Sequence, residues 1–215
     1  RNRKGETSKS KGTKLMLKFH EQAGQIVFAF GRFNPPTIGH EKLMDKTKQI
    51  AGLNRYIIFP SQSQNQKKDP LPFALKVAYM KKMFPTHAKN IVVDKNIRNV
   101  FDIAVKLYNE KYTDIGMVAG SDRVKEFKTL LDKYNDVKSR HGYYKFRTIS
   151  VINAGARDPD AEGVTGMSAS KMRGAASQGD FESFKLGLPK GFKDGQKLFN
   201  DVRKFMGIRE ERDMG

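Results

Sequence analysis

The sequence predicts an α/β fold: a five-stranded parallel sheet with helices on both faces, followed by C-terminal helices. Three observations carry this. Short strand-like stretches that hold β-branched or aromatic residues recur at 26–30, 55–59, 91–93, 115–119 and 146–152. The stretches between them place apolar residues at helical spacing. Strands that alternate with helices in this way form βαβ units, whose sheets are parallel and covered on both faces.

The elements follow in order. Residues 26–30 (Ile-Val-Phe-Ala-Phe) are apolar without a break, so the first strand is buried. Gly31 ends it, because glycine reaches backbone angles that other residues avoid and adds no side chain. Pro35 and Pro36 stop the strand and hold off any helix until Thr37, which can cap the next helix. The N–H groups left free at that helix start make an anion site, and His40 in the first turn can reach the same anion. Open α/β sheets bind ligands at such a loop, past the carboxyl end of a strand.

Leu43, Met44, Thr47, Ile50 and Ala51 then share one face of a helix over 38–51. Residues 55–59 are a second strand, running into a polar loop over 60–70. Phe73, Val77, Met80 and Phe84 are in step over 72–84, and Ile91-Val92-Val93 reads as a third strand. Val100, Ile103, Ala104, Leu107 and Tyr108 face inward from a helix over 99–112. The fourth strand, 115–119, ends at Gly120-Ser121-Asp122, a helix covers roughly 122–134, and the fifth strand ends near Ile152. From Ser168 onward the pattern is helical with a break at Pro189, and Leu198, Val202, Phe205 and Met206 mark a last amphipathic helix.

Three domains are expected: a basic flexible tail over 1–20, the α/β domain over 21–178, and a helical extension over 179–215. The tail holds seven Lys or Arg against one Glu, within a chain of 215 residues and net charge +18. Such a field attracts polyanions, so phosphorylated substrates and nucleic acid are both candidate partners. The longest apolar runs are about five residues, against the ~20 that a membrane helix needs. Without cysteine, disulfides and thiolate zinc sites are excluded. With no secretory pattern visible, a cytoplasmic setting is expected. The chain opens on Arg1 and not Met, which points to processing or to a longer product. The pattern assigns no oligomeric state.

Four loops can carry chemistry: the opening stretch, the 61–70 loop with Lys67 and Lys68, Gly120-Ser121-Asp122, and Gly166-Met167-Ser168-Ala169-Ser170-Lys171-Met172-Arg173. In the last, Ser168 can cap a helix, and the Ser168 and Ser170 hydroxyls face whatever anion docks there. Arg173 can grip phosphate oxygens with two N–H groups at once. Two helix starts with basic side chains can thus clamp a triphosphate between them.

Gly31-Arg32-Phe33-Asn34-Pro35-Pro36-Thr37-Ile38-Gly39-His40 resembles the G-x-F-x-P-x-[HT]-x-G-H signature of the nucleotidylyltransferase superfamily. Gly166 to Arg173 resembles its second signature, I-S-x-[ST]-x-x-R, with Met167 in the Ile place. The two lie in the right order about 130 residues apart. The Phe33-Asn34-Pro35 run and Gly120-Ser121-Asp122 are most similar to the nicotinamide-nucleotide adenylyltransferase and cytidylyltransferase-like branch.

The resemblance implies a Rossmann-like domain that binds ATP or CTP across the first loop and the late helix. It implies in-line attack by the acceptor's phosphate on the α-phosphorus, with pyrophosphate leaving and no covalent intermediate. Catalysis is then positioning and charge stabilisation. His40, Thr37, Arg173 and Lys68 are the expected catalytic residues. His40 would contact the α- and β-phosphates, and Arg173, Ser168 and Ser170 the β- and γ-phosphates. Thr37 stands where many members carry a first His. Gly31, Arg32, Phe33, Asn34, Gly39, Gly120 and Asp122 complete the expected nucleotide site. Mg²⁺ would bridge phosphates with few protein ligands.

Plainer readings stand beside these. Thr37, Asp122 and Ser168 can each be helix caps, Arg32 a surface residue, and Lys67 and Lys68 a solvated loop. His20, His87 and His141 show no ligand spacing and read as structural. Arg98 opens a helix and is a weak phosphate candidate, and the loop from Gly155 to Asp160 reads as a turn. The alternative function is a catalytically dispensable domain acting as a basic nucleic-acid-binding or assembly component. Aminoacyl-tRNA synthetase chemistry shares the H-x-G-H logic but needs a longer chain.

Overall fold

The structure is a computed structural model that describes residues 24–155 and 167–208. The basic segment 1–20 with His20, residues 156–160 of the tight loop, and Gly166 lie outside them. The elements run β1 (Gln25–Gly31), α1 (Ile38–Ala51), β2 (Arg55–Pro60), α2 (Phe73–Met83), a 3-10 helix (Pro85–Asn90), α3 (Val100–Asn109), β3 (Asp114–Ala119), α4 (Val124–Lys133), β4 (Thr148–Asn153), α5 (Ala169–Ser177), α6 (Phe181–Lys185) and α7 (Gly195–Phe205).

The strands form one parallel sheet in the order β2-β1-β3-β4. Its four strands among the described residues correct the expected five. Ile91–Val93 makes one parallel bridge, Ile58 to Ile91, with Val92 N–H donating to the Ile58 carbonyl at 3.0 Å. Two features stop the ladder there. The Asn90 side chain donates to the Tyr56 carbonyl at 2.9 Å, and Val93 turns outward with 58% exposure.

Alternation along β1 assigns the two faces. Ile26 and Phe28 pack with Phe59, Ile103, Leu107, Met117 and Leu131, beneath α3 and α4. Ala29 packs on the opposite face with Met44, Met80, Met172, Phe184 and Val202, beneath α1, α2 and α5–α7. Burying each such large side chain contributes about 1.5–3 kcal/mol. The helices after residue 178 thus share a core with the sheet. Tyr79 of α2 donates to Asp201 of α7 at 2.5 Å, and Lys82 pairs with Asp194 at 2.7 Å.

Helix bounds follow the expected faces. α1 buries Met44, Thr47 and Ala51, and α3 buries Val100, Ile103, Ala104 and Leu107. His87 and His141 are structural. His87 is buried between the Tyr56 hydroxyl at 2.9 Å and Asp45 at 2.8 Å, and His141 stacks on Phe101 at 4.2 Å. Because the strands are parallel, the loops after β1, β2 and β3 all leave the sheet at one edge, where the candidate site lies.

Candidate functional site

At the end of β1 the chain turns over its own aromatic ring. A Cβ on Gly31 would lie 3.1 Å from Cζ of Phe33, so any larger residue would push the buried ring by a few tenths of an ångström. The expectation that Gly31 supplies unusual backbone angles is corrected: the positive φ, 49°, belongs to Phe33. The Phe33 ring is buried and meets the His40 ring edge to face at 4.9 Å. Asn34 is also buried and clasps Leu71 in both directions, donating to its carbonyl at 3.0 Å and accepting from its N–H at 2.9 Å. The first loop is thereby fixed to the end of the 61–70 loop. The Asn34–Pro35 bond within it is cis.

Thr37 caps α1 as expected, accepting from Gly39 N–H at 3.1 Å and His40 N–H at 3.3 Å. His40 completes a capping box, its Nδ1 accepting from Thr37 N–H at 3.0 Å. An Nδ1 that accepts carries no proton, so the neutral ring keeps its N–H at Nε2. Ile38 N–H donates to the Gly187 carbonyl at 2.9 Å. The expected free N–H groups at this helix start are therefore corrected: Thr37, Ile38, Gly39 and His40 amides all have protein acceptors. An anion at α1 would meet side chains before backbone.

The second helix start differs. Ser168 caps α5, accepting from Lys171 N–H at 3.1 Å. From one turn further, the Arg173 guanidinium reaches three segments. Its Nη1 donates to the Asn34 carbonyl at 2.8 Å, its Nε to the Lys67 carbonyl at 3.1 Å, and its Nη2 to the Ser170 hydroxyl at 3.1 Å. Three of its five N–H groups are used in this way. Burial pulls its pKa down from the ordinary value, and nearby Arg32 acts in the same direction, while the Asp69 carboxylate opposes both.

Lys67 and Lys68 stand exposed on a tight turn. Asn65 and Asp69 exchange backbone hydrogen bonds at 3.0 Å, and the Asn65 side chain accepts from both lysine amides. Arg32 and Gly39 are exposed at the same edge. Gly120 and Asp122 lie past the end of β3. The Gly120 carbonyl accepts from Arg123 N–H at 2.9 Å, and Asp122 is exposed. The cap position of α4 is Arg123 and receives no side-chain hydrogen bond, so the reading of Asp122 as that cap is corrected.

The structure thus brings Asn34, Ser170, Arg173 and the Lys67–Lys68 turn together around one guanidinium, with Thr37 and His40 on the helix that continues the first loop. Two buried charged residues beside them were missed: Lys76, 0% exposed, and Asp69, 2% exposed. Lys76 had a legible signal, since it sits on the apolar stripe of Phe73, Val77 and Met80.

Comparison with known proteins agrees with this fold. The cytidylyltransferase-like family pattern matches residues 28–174. Among solved structures, the chain is similar to Plasmodium falciparum nicotinic acid mononucleotide adenylyltransferase complexed with NaAD. The TM-score is 0.55 and the identity 15%, over 86% of this chain and 98% of that one. The same enzyme complexed with APC gives 0.54 and 14%, with the same coverage. A protein from Vibrio parahaemolyticus assigned as a nicotinate-nucleotide adenylyltransferase gives 0.51 and 13%, over 82% of this chain and 99% of that one. No curated protein sequence matches.

Proposed function

The chain belongs to the cytidylyltransferase-like family of nucleotidyltransferases, and from that premise we propose that it transfers an adenylyl group from ATP to a phosphate-bearing acceptor, first among them a pyridine mononucleotide. Cytidylyl transfer from CTP is the neighbouring activity on the same fold. One observation carries the reading: Arg173 joins the late helix to the first loop through the Asn34 carbonyl, so both signature segments meet at one cation.

In the proposed reaction an oxygen of the acceptor's phosphate attacks the α-phosphorus in line. The bond from that phosphorus to the bridging oxygen breaks, and pyrophosphate leaves with the electron pair. The remaining N–H groups of Arg173 hold the β- and γ-phosphates, with Ser168 and Ser170 beside them. His40 donates from Nε2 to the α- and β-phosphates, held in that tautomer by the Thr37 amide. Thr37 orients the ring, and its hydroxyl lies 3.3 Å from Nδ1. Lys68, with Lys67, supplies mobile positive charge to the leaving pyrophosphate. Gly31, Arg32, Phe33, Asn34 and Gly39 shape the nucleotide pocket, with Gly120 and Asp122 toward the ribose or the acceptor's polar head. Mg²⁺ is proposed to enter on the phosphates. The described residues bring no three His, Asp or Glu side chains together, and no step is assigned to a protein-held metal.

Pyrophosphate release with ATP or CTP, paired with nicotinate mononucleotide, nicotinamide mononucleotide or phosphopantetheine, tests the reading. Release that needs both a triphosphate and one acceptor supports it. Silence with every pair rejects it.

A further inference from the structure

A lysine with no exposed surface lies behind the candidate site. Lys76 is 0% exposed, and its ammonium donates to the Ser61 carbonyl at 2.7 Å, where the 61–70 loop leaves β2. The Phe73 ring is 5.8 Å away and carries no charge. One carbonyl does not satisfy an ammonium with three donors, and a buried cation needs an opposite charge. The opposite charge whose field reaches it is that of Asp69, itself 2% exposed, with no ion pair or hydrogen bond joining the two. Burial lowers the Lys76 pKa to about 8, and the field of Asp69 resists the fall.

Asp69 acts on both sides. Its field also supports the charge on Arg173, which the nearby Arg32 opposes. Its Oδ1 is buried without a hydrogen-bond partner among the described residues. Its backbone closes the turn that presents Lys67 and Lys68, and Arg173 grips that turn at the Lys67 carbonyl. One carboxylate therefore lies within the fields of two cations, the buried Lys76 and the loop-gripping Arg173.

We propose that Lys76 is a positioning residue for nucleotidyl transfer: with Asp69 it fixes the 61–69 loop so that Arg173 and the Lys67–Lys68 turn meet the triphosphate in one geometry. The proposal rests on the reading of the site as a nucleotidyltransferase. With Lys76 uncharged or removed, the 61–69 loop loses the cation that ties it at the Ser61 carbonyl, and the turn that Arg173 grips at the Lys67 carbonyl loosens.

Protonation separates this role from a purely structural one. Lys76 binds its proton less tightly in the fold than its ordinary value of 10.5, so from about pH 8 upward its deprotonation favours folding. The same deprotonation removes the positive charge that holds the loop at the Ser61 carbonyl and whose field balances Asp69. Triphosphate KM should therefore rise above about pH 8 with no loss of stability from this group.

The test compares wild type, Lys76→Met, Lys76→Arg and the double variant Asp69→Asn/Lys76→Met. It reads triphosphate KM across pH, and amide hydrogen exchange at 65–69 in the ligand-free protein. Lys76→Met is expected to raise KM about tenfold with a smaller change in kcat, and to speed exchange at 65–69. Lys76→Arg should keep the low KM and lose the alkaline rise. The double variant buries no unpaired charge, so it should fold, and it should still bind the triphosphate weakly. Native KM and native exchange in either Met variant overturn the proposal. If wild type releases no pyrophosphate with any pair, the reading of the site fails, and exchange alone decides whether Lys76 fixes the loop.

Discussion

The starts of α1 and α5 carry the two signature segments and use a hydroxyl cap in the same way, yet they are finished differently. At α1 every amide from Thr37 to His40 has a protein acceptor, and Thr37 is 2% and His40 8% exposed. At α5 the cap is followed by an arginine that reaches across to two other loops. The first start is a neutral, self-satisfied platform. The second is a cationic arm. A helix start counts as an anion site only when its amides are left unpaired. At α1 they are not, so under the proposed function the charge for a triphosphate comes from Arg173 and its neighbours.

The largest expected effect is at the arm. Arg173→Ala should lower turnover by roughly 10²–10³-fold, the scale of removing one transition-state donor, with the fold kept by circular dichroism. An Arg173→Ala protein that keeps its rate would place the charge elsewhere. His40→Ala should cost about 10²-fold in kcat and also some stability, because the Thr37 amide loses its acceptor. An effect on melting alone would make the platform purely structural.

Thr37 sharpens the contrast next. Thr37→Ala should cost about 1 kcal/mol in denaturant unfolding, while Thr37→Ser keeps stability and rate. Thr37→His, placing a larger ring at a site 2% exposed, should lose mainly stability. A stable, active Thr37→His would show that the position opens toward the phosphates.

The smallest effect lies at the opposite edge of the sheet, where Asp114 opens β3. Burial pushes its pKa up, but hydrogen bonds from Arg147, Thr148 and Thr113 outweigh this and hold it below the ordinary carboxylate value. A depressed pKa contributes stability above the unfolded value, near 3.9, that is lost as pH falls through the folded value. Acid titration of Asp114→Asn should therefore flatten the loss of stability below about pH 4 and leave nucleotide binding at neutral pH unchanged.

The sequence made most of this architecture legible, because unbroken apolar runs and helical spacing report burial directly. Residues 38–51 were read as a helix to the residue. The third apolar run misled because three residues carry no information on their neighbour. Asn90 ends that pairing through a contact with Tyr56, 34 residues away. In the site, Thr37 and Ser168 were readable as caps, since capping is local. The Gly187 carbonyl on Ile38 and the clasp of Asn34 on Leu71 were not, since each joins segments far apart in sequence. Lys76 stood in view on an apolar stripe, and its meaning needed the Ser61 carbonyl and Asp69 beside it.

Under the proposed function, the two signature segments work as one site through Arg173. Pyrophosphate release by wild type and by Arg173→Ala, with ATP and a pyridine mononucleotide, tests it most directly. Release should require both substrates in wild type and fall at least about 10²-fold in a folded Arg173→Ala protein. Release that is equal in the two proteins would contradict it.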